Sequence, residues 1–230
     1  MINNIKAIVF DIDGTLVNYE CSRYKSGWDA IGDSLENNIR EEWFKNLDEY
    51  YPQKNKIIEW TKKDAELLKN RSLTLVEQAL FPKETVPYNP GVKEFIKGLD
   101  NSYTLGLISG GINLVSDKIM DDFKNKFEFS ITNVLGKKNG SLDGTVQAID
   151  MWKKDELLEK KLDNYGLTLK KTCYVGDSGN DIPVMKKAGL SIAFDSKGED
   201  SEEIKEYADY VIKDFKELIR IIQDYEFCFS

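Results

Sequence analysis

The chain predicts an α/β fold, a Rossmann-like doubly wound parallel sheet with a helical cap inserted after the first strand. Three observations carry this reading. Short apolar runs suited to buried strands recur at 6–10, 103–109, 172–176, 190–194 and 210–212, stretches of helical periodicity separate most of them, and one long stretch after the first run holds helical patterning with no strand. Such alternation implies parallel strands with helices on both faces, and ligands in such folds bind beyond the carboxyl ends of the strands.

The first run, Lys6-Ala7-Ile8-Val9-Phe10, delivers Asp11 and Asp13 to its far end, and Gly14 then lets the backbone turn. Side chains alternate along a strand, so the two carboxylates are expected to point the same way. At roughly 4 Å and an effective dielectric near 20 their repulsion would be about 4 kcal/mol, which calls for a cation or a shared proton. Residues 17–84 read as aromatic-rich helices, with Trp28, Ile31, Leu35 and Ile39 at helical spacing. Pro82, Pro87 and Pro90 punctuate the return path, after which a helix over 91–99 leads to the strand 103–109. A helix at 114–123 and a strand near 127–132 follow, and Asn139-Gly140 marks a hairpin turn read as a side excursion. A charged helix over 153–165 precedes the strand 172–176, and strands at 190–194 and 210–212 complete the sheet.

Composition narrows the chemistry. The 230 residues suit one large domain or a core with an insertion. A net charge of −8 and the lack of extended Lys/Arg tracts argue against nucleic acid or an anionic membrane as partner. Cys21, Cys173 and Cys228 are odd in number and scattered, as expected of reduced thiols in a cytoplasm. No signal peptide or spanning segment is expected. The absence of histidine removes Ser-His-Asp hydrolysis, His-ligated zinc and phosphohistidine chemistry together. A cysteine phosphatase needs arginine six positions after its nucleophile, where this chain has Gly27 and Gly179. Ser109 and Ser178 lack both flanking glycines of a nucleophile elbow, and no P-loop motif occurs. An EF-hand opening at Asp11 would want glycine at Leu16 and glutamate at Ser22.

Four constellations remain. Asp11/Asp13 could be a solvated turn or a metal site. Ser109-Gly110-Gly111 ends a strand and opens a helix, so a hydroxyl and free N–H groups can face an anion. Lys154 begins a helix whose other lysines, Lys160 and Lys161, suit a solvated face. Gly176-Asp177-Ser178-Gly179-Asn180-Asp181 sets two acids after another apolar strand, where a divalent cation facing Asp11 would use them.

In this order the motifs resemble the haloacid dehalogenase-like phosphohydrolases: Asp11-x-Asp13-Gly14-Thr15, then Ser109-Gly110-Gly111, then a helix lysine, then Gly176-Asp177-x-x-Asn180-Asp181. The Ser-Gly-Gly form and a helical insertion directly after the first motif are similar to the phosphoserine phosphatase branch. The resemblance implies a core of 1–16 and 85–230, a type C1 cap of 17–84, and a small-molecule phosphomonoester as substrate. It makes Asp11 the nucleophile and Asp13 the acid and base. The metal would be Mg²⁺, held by Asp11, Asp177 and the Asp13 backbone carbonyl, as an oxygen-only donor set suits. Ser109, Gly110, Lys154 and Asn180 would contact phosphate, and Asp181 would hold metal-bound water or orient Lys154. Glu20 would face a substrate ammonium and Arg71 a substrate carboxylate. The chain departs from that branch at Gly14, where serine is usual, and in its cap sequence. Phosphoserine phosphatase is therefore the first functional expectation. A phosphatase for an amino-alcohol or sugar phosphate is the second, and a non-catalytic phosphate-binding module the third. The cap tryptophans Trp28, Trp43 and Trp60 are read as packing.

Overall fold

In the computed structural model, residues 5–19, 26–124, 126–195 and 201–228 are described. Seven strands form one sheet: β1 (Ala7–Phe10), β2 (Thr104–Ile112), β3 (Phe127–Lys138), β4 (Ser141–Gln147), β5 (Thr172–Gly176), β6 (Leu190–Phe194) and β7 (Tyr210–Ile212). Their spatial order is β4-β3-β2-β1-β5-β6-β7, and every pairing is parallel except that of β3 with β4. The chain builds outward from β1 on one side, then crosses to build outward on the other. The crevice where the direction reverses lies at the carboxyl ends of β1, β2 and β5, which is where such sheets hold ligands.

Alternation along β1 feeds two cores. Ile8 and Phe10 join a large cluster containing Phe95 and Ile96 of α5 (Val92–Gly98), Leu114 and Ile119 of α6 (Asn113–Asp122), and Leu218 and Ile222 of α10 (Lys216–Cys228). Ala7 and Val9 face the opposite side, against Leu158 and Leu162 of α7 (Lys154–Asp163), Val184 of α8 (Ile182–Met185) and Ile204 of α9 (Ser201–Lys205). All four β1 residues are buried, so the strand reads as a continuous apolar run, as a central parallel strand should. Phe10 meets Phe95, Phe127 and Phe215 at centroid distances of 6.1, 6.3 and 6.4 Å. Burying one such ring contributes roughly 1.5–3 kcal/mol, so this cluster fixes the end of β1 firmly.

The helices α1 (Gly27–Asp33), α2 (Asn37–Tyr50), α3 (Ile57–Leu67) and α4 (Leu73–Leu80) stand between β1 and α5. The chain leaves and re-enters the core side by side, because Val17 bridges Tyr88 and the Asn18 N–H donates to the Pro87 carbonyl. Trp28 and Ile31 fall on α1 and Ile39 on α2; the first helix stops at Ser34, whose hydroxyl donates to the Ile31 carbonyl at 2.7 Å. A serine that bonds back into the last turn competes with the next helical bond.

Two differences involve strand ends. β2 continues through Ser109-Gly110-Gly111 to Ile112, three residues beyond the expected end. The β3–β4 hairpin turns at Asn139 and Gly140, both with positive φ, as a two-residue hairpin loop requires. It is no side excursion. Leu142 exchanges backbone hydrogen bonds with Asn70 and Arg71, and Ser141 bridges Ser72, so the hairpin props the connection between α3 and α4. Among the described residues no helix is long and apolar enough to cross a membrane.

Candidate active site

A cleft of about 830 Å³ opens where the helices α1–α3 face the carboxyl ends of β1, β2 and β5. Its floor comes from the strands. Asp11 follows β1, Ser109 and Gly110 lie near the end of β2, and Asp177 follows β5. Adjacent parallel strands are about 4.8 Å apart, so three neighbouring strand ends suffice to gather these groups around one ion or one phosphate.

Beneath the floor lies Lys154, with no solvent exposure. Its ammonium donates to Asp11 Oδ1 and to Asp181 Oδ1, each at 2.6 Å. The lysine starts α7, and its neighbour Lys153 ends the preceding 3-10 turn. Burial works against the charge of Lys154, but Asp11 and Asp181 hold its pKa above the ordinary lysine range. Burial also drives Asp11 upward, Lys154 pulls it back, and the charges of Asp181 and Asp13 push the same way as burial. One buried cation thus faces an excess of carboxylates, and this imbalance calls for further positive charge.

Oxygens of Asp11, Asp177 and Asp181 lie within 4.8 Å of one another, which makes the trio a candidate metal centre. The three are not equivalent. Asp181 Oδ1 already accepts from Lys154 and from the Tyr174 hydroxyl at 2.5 Å. Its Oδ2 accepts from the backbone N–H groups of Asp177 and Ser178, each at 3.1 Å. With both oxygens so engaged, Asp181 supports its neighbours, while Asp11 and Asp177 are left to face an ion. Hard oxygen donors fit a divalent cation such as Mg²⁺. Asp177 also accepts from Thr15 Oγ1 at 3.2 Å. Gly14, at φ +84°, lets the loop after β1 pass so close that a Cβ there would meet Asp177 Oδ2 at 2.0 Å. That crowding explains why the position holds glycine in this chain.

Asp13 points to the cap. Its Oδ1 accepts from the backbone N–H of Gly27 at 3.0 Å, the first residue of α1. Burial raises its pKa to about 6, with the charge of Asp29 adding to the rise and the Gly27 N–H opposing it. The other Asp13 oxygen lies over the end of β2, where a Cβ on Gly111 would meet it at 2.5 Å and Ser109 Oγ at 3.3 Å. The carboxylates of Asp11 and Asp13 therefore have separate partners, Lys154 for one and the start of α1 for the other.

Sequence reasoning missed the groups that fix the Ser109-Gly110-Gly111 backbone. Asn133, buried on β3, donates through Nδ2 to the carbonyls of Gly110 at 2.6 Å and Gly111 at 3.2 Å, and its Oδ1 accepts from the Ile149 N–H at 2.8 Å. Trp28 Nε1 donates to the same Gly110 carbonyl at 3.0 Å. The signal for Asn133 was an amide in the middle of a strand of the sheet, where a buried polar group must have partners. Asn180 lines the cleft, and its Nδ2 donates to Ser178 Oγ at 3.0 Å.

The cap-side wall is aromatic. The stripe Trp43, Leu47, Tyr51 along α2 and its end, and the stripe Ile57, Trp60, Thr61, Asp64 along α3, both face the cleft. Trp28 sits 5.8 Å from Trp43, and Tyr51 sits edge-on to Trp60 at 6.3 Å. The tryptophans read as packing thus also line the cleft. Lys54 reaches across its mouth to lie 3.9 Å from the centroid of Trp152, in the turn before α7. Arg71 is placed elsewhere: its guanidinium pairs with Glu36, and it does not line this cleft. Glu20 and Cys21 lie outside the described residues.

Comparison with known proteins agrees with this architecture. The haloacid dehalogenase-like hydrolase family model matches residues 5–189. A phosphoserine phosphatase of Methanocaldococcus jannaschii is 35% identical over 223 residues, covering 95% of this chain and 98% of its own. Another from Albidiferax ferrireducens is 28% identical over 208 residues, covering 85% and 81%. A solved phospho-aspartyl intermediate analogue of phosphoserine phosphatase superposes with a TM-score of 0.72 at 31% identity, covering 95% of this chain and 99% of its own. A substrate-bound phosphoserine phosphatase complex gives the same TM-score and identity, covering 95% and 98%. By its motifs, its sheet and the extent of these matches, the chain belongs to the haloacid dehalogenase-like hydrolase family.

Proposed function

We propose that the protein is a Mg²⁺-dependent phosphomonoester hydrolase that works through an aspartyl-phosphate, with O-phosphoserine as its substrate. The observation that carries the reaction is the buried contact of Lys154 with both Asp11 and Asp181, directly under the cleft where Asp13, Ser109 and Asp177 converge. The substrate rests on the similarity to phosphoserine phosphatases across nearly the whole chain.

In the first step an Asp11 oxygen attacks phosphorus, the bond to the leaving alkoxide breaks, and Asp13 gives that alkoxide its proton. In the second, Asp13 takes a proton from water as the water oxygen attacks phosphorus, and the bond to Asp11 breaks to regenerate the carboxylate. Lys154 holds Asp11 in place and offsets charge on the transferring phosphoryl oxygens, aided by Ser109 and the Gly110 N–H. Asp11, Asp177 and the Asp13 carbonyl would hold Mg²⁺, which when bound neutralises phosphoryl charge and orients the ester. Asp181 keeps Lys154 and the Asp177 backbone in register through the hydrogen bonds described above.

The carboxylate of phosphoserine needs a cation. Among the described residues, Lys54 is the cationic side chain that lines the cap side of the cleft, and we assign it this role in place of Arg71. A cytoplasmic setting belongs to the same proposal, on the strength of the scattered cysteines. The test is borohydride reduction during turnover of O-phosphoserine with Mg²⁺, followed by peptide mapping. Conversion of Asp11 to homoserine is expected. Modification of any other residue, or none during sustained phosphate release, would overturn the nucleophile assignment.

A further inference from the structure

The wall that faces the leaving group is more aromatic and more acidic than a serine side chain requires. Trp28, Tyr51 and Trp60 present ring surface to the cleft, the buried Trp43 backs Trp28, and two buried carboxylates, Asp29 and Asp64, line it among them. Asp64 accepts from Asn46 Nδ2 at 3.0 Å, which holds its carboxyl in place at the end of the α3 stripe. Asp29 lies in the first turn of α1, two residues beyond the Gly27 N–H that donates to Asp13, so it stands on the Asp13 side of the cleft. Among the described residues, Arg40, Arg71 and Arg220 pair with Asp33, Glu36 and Asp224 and none of them lines the cleft, while Lys54, the cation that does, lies over Trp152.

Aromatic faces with carboxylates beside them form the environment that attracts an alkylated ammonium: the ring quadrupole favours a positive charge, and the rings pack against methyl groups that a hydrogen-bonding pocket would leave unsatisfied. A cleft of about 830 Å³ also leaves room beyond a phosphate and a three-carbon amino acid. We infer that the cap-side wall is a cation-recognition box, and that the enzyme hydrolyses phosphorylated amino alcohols with N-methylated ammonium heads, phosphocholine being the test case, alongside O-phosphoserine. This inference rests on the phosphatase reading of the floor for its chemistry, but the box itself makes a claim about binding that needs no turnover.

The first experiment compares kcat/KM for phosphocholine with that for its neutral isostere, in which a tert-butyl group replaces the trimethylammonium. The two share size and shape, but the ammonium also makes choline the better leaving alkoxide. The change of the ratio in the variants and the binding of the free alcohols, which are free of that inductive difference, isolate recognition of charge. A ratio of about tenfold or more in favour of phosphocholine is expected, in line with a desolvated cation over aromatic faces. Asp64→Asn and Trp60→Leu should each reduce that ratio at least threefold. The second experiment titrates choline and the corresponding neutral alcohol into the protein, followed by tryptophan fluorescence, and tighter binding of choline is expected. A wild-type ratio near one together with equal binding of choline and the alcohol would overturn the box while leaving hydrolysis of O-phosphoserine untouched. Selective choline binding with no hydrolysis of any ester in Mg²⁺ would instead uphold the box and overturn the phosphatase reading. Neither readout on the wild-type protein depends on the variants folding.

Discussion

On the floor of the cleft polar groups hold polar groups at fixed distances, whereas the cap-side wall consists mainly of ring surface with a few charges set into it. Lys154 holds Asp11 and Asp181 at 2.6 Å, and Asp181 accepts from the backbone N–H groups of Asp177 and Ser178, earlier in its own loop. Asp11 and Asp177 follow the ends of paired strands, whose registers leave little freedom, and Lys154 reaches Asp11 from the start of α7. The wall is carried by helices that meet the core through Trp28 on Gly110, Gly27 on Asp13, and Lys54 over Trp152. The contrast separates reaction from selection. Damage to the floor should slow every ester alike, and damage to the wall should change the ratio between esters.

The largest effect expected is that of Asp11→Asn. An amide is a far poorer nucleophile than a carboxylate, so phosphate release should fall by about 10⁴-fold or more for O-phosphoserine and for an aryl phosphate equally. Circular dichroism should be unchanged, because the amide can still accept from Lys154. Retained turnover of either ester would place the nucleophile elsewhere. Next is Lys154→Met, which removes a preorganised cation and should lower kcat by about 10² to 10³-fold for both esters. It also leaves Asp11 and Asp181 buried without their shared partner, so the denaturation midpoint should fall as well. A loss confined to one ester would break the division between floor and wall.

The floor was legible in the sequence because its groups sit at the ends of short apolar runs, where local pattern and topology coincide. Asp11 and Asp177 follow β1 and β5, Ser109 lies near the end of β2, and the doubly wound order sets those strands side by side. Lys154 was readable only by resemblance, since a lysine among Lys153, Lys160 and Lys161 suits solvent until the fold buries it. The wall was less legible. The stripe Ile57, Trp60, Thr61, Asp64 has the spacing of any core-facing helix, and periodicity cannot tell a core from a cleft. Arg71 illustrates the same limit. Its chemistry suits a carboxylate, but the β3–β4 hairpin binds the backbone at Arg71, and the side chain turns to Glu36. No local pattern announces a contact with a hairpin seventy residues further on.

On the wall, Lys54→Met should raise KM for O-phosphoserine by about five- to tenfold, the cost of losing one charged hydrogen bond, with kcat nearly unchanged. KM for an aryl phosphate without a carboxylate should stay within twofold. Arg71→Ala serves as the comparison: with its guanidinium on Glu36, it should leave KM for both esters within twofold. If the two variants exchanged behaviour, the carboxylate would sit beside Arg71 and the cap would have to close differently around substrate.

The smallest effect is expected in stability, and it tests whether the acid in the wall is held for a ligand. Burial raises the pKa of Asp64 to about 7 from 3.8, while Asn46 and the indole of Trp60 act against the rise. Below pH 3.8 the carboxyl is protonated whether the chain is folded or not, so it contributes nothing. Between there and pH 7 the unfolded chain ionises while the folded one keeps its proton, so stability falls as pH rises, and above pH 7 the deficit is constant. Asp64→Asn lacks this deficit. The difference in melting temperature between variant and wild type should therefore be near zero at pH 4 and grow to several degrees by pH 8, the other carboxylates cancelling in the comparison. A difference independent of pH would mean that the Asp64 charge is well solvated and costs the fold nothing. Choline at pH 8 should narrow the gap, because a cation in the box stabilises the ionised carboxyl that burial opposes. A gap that choline leaves unchanged would separate Asp64 from ligand recognition and leave the aromatic rings to act alone.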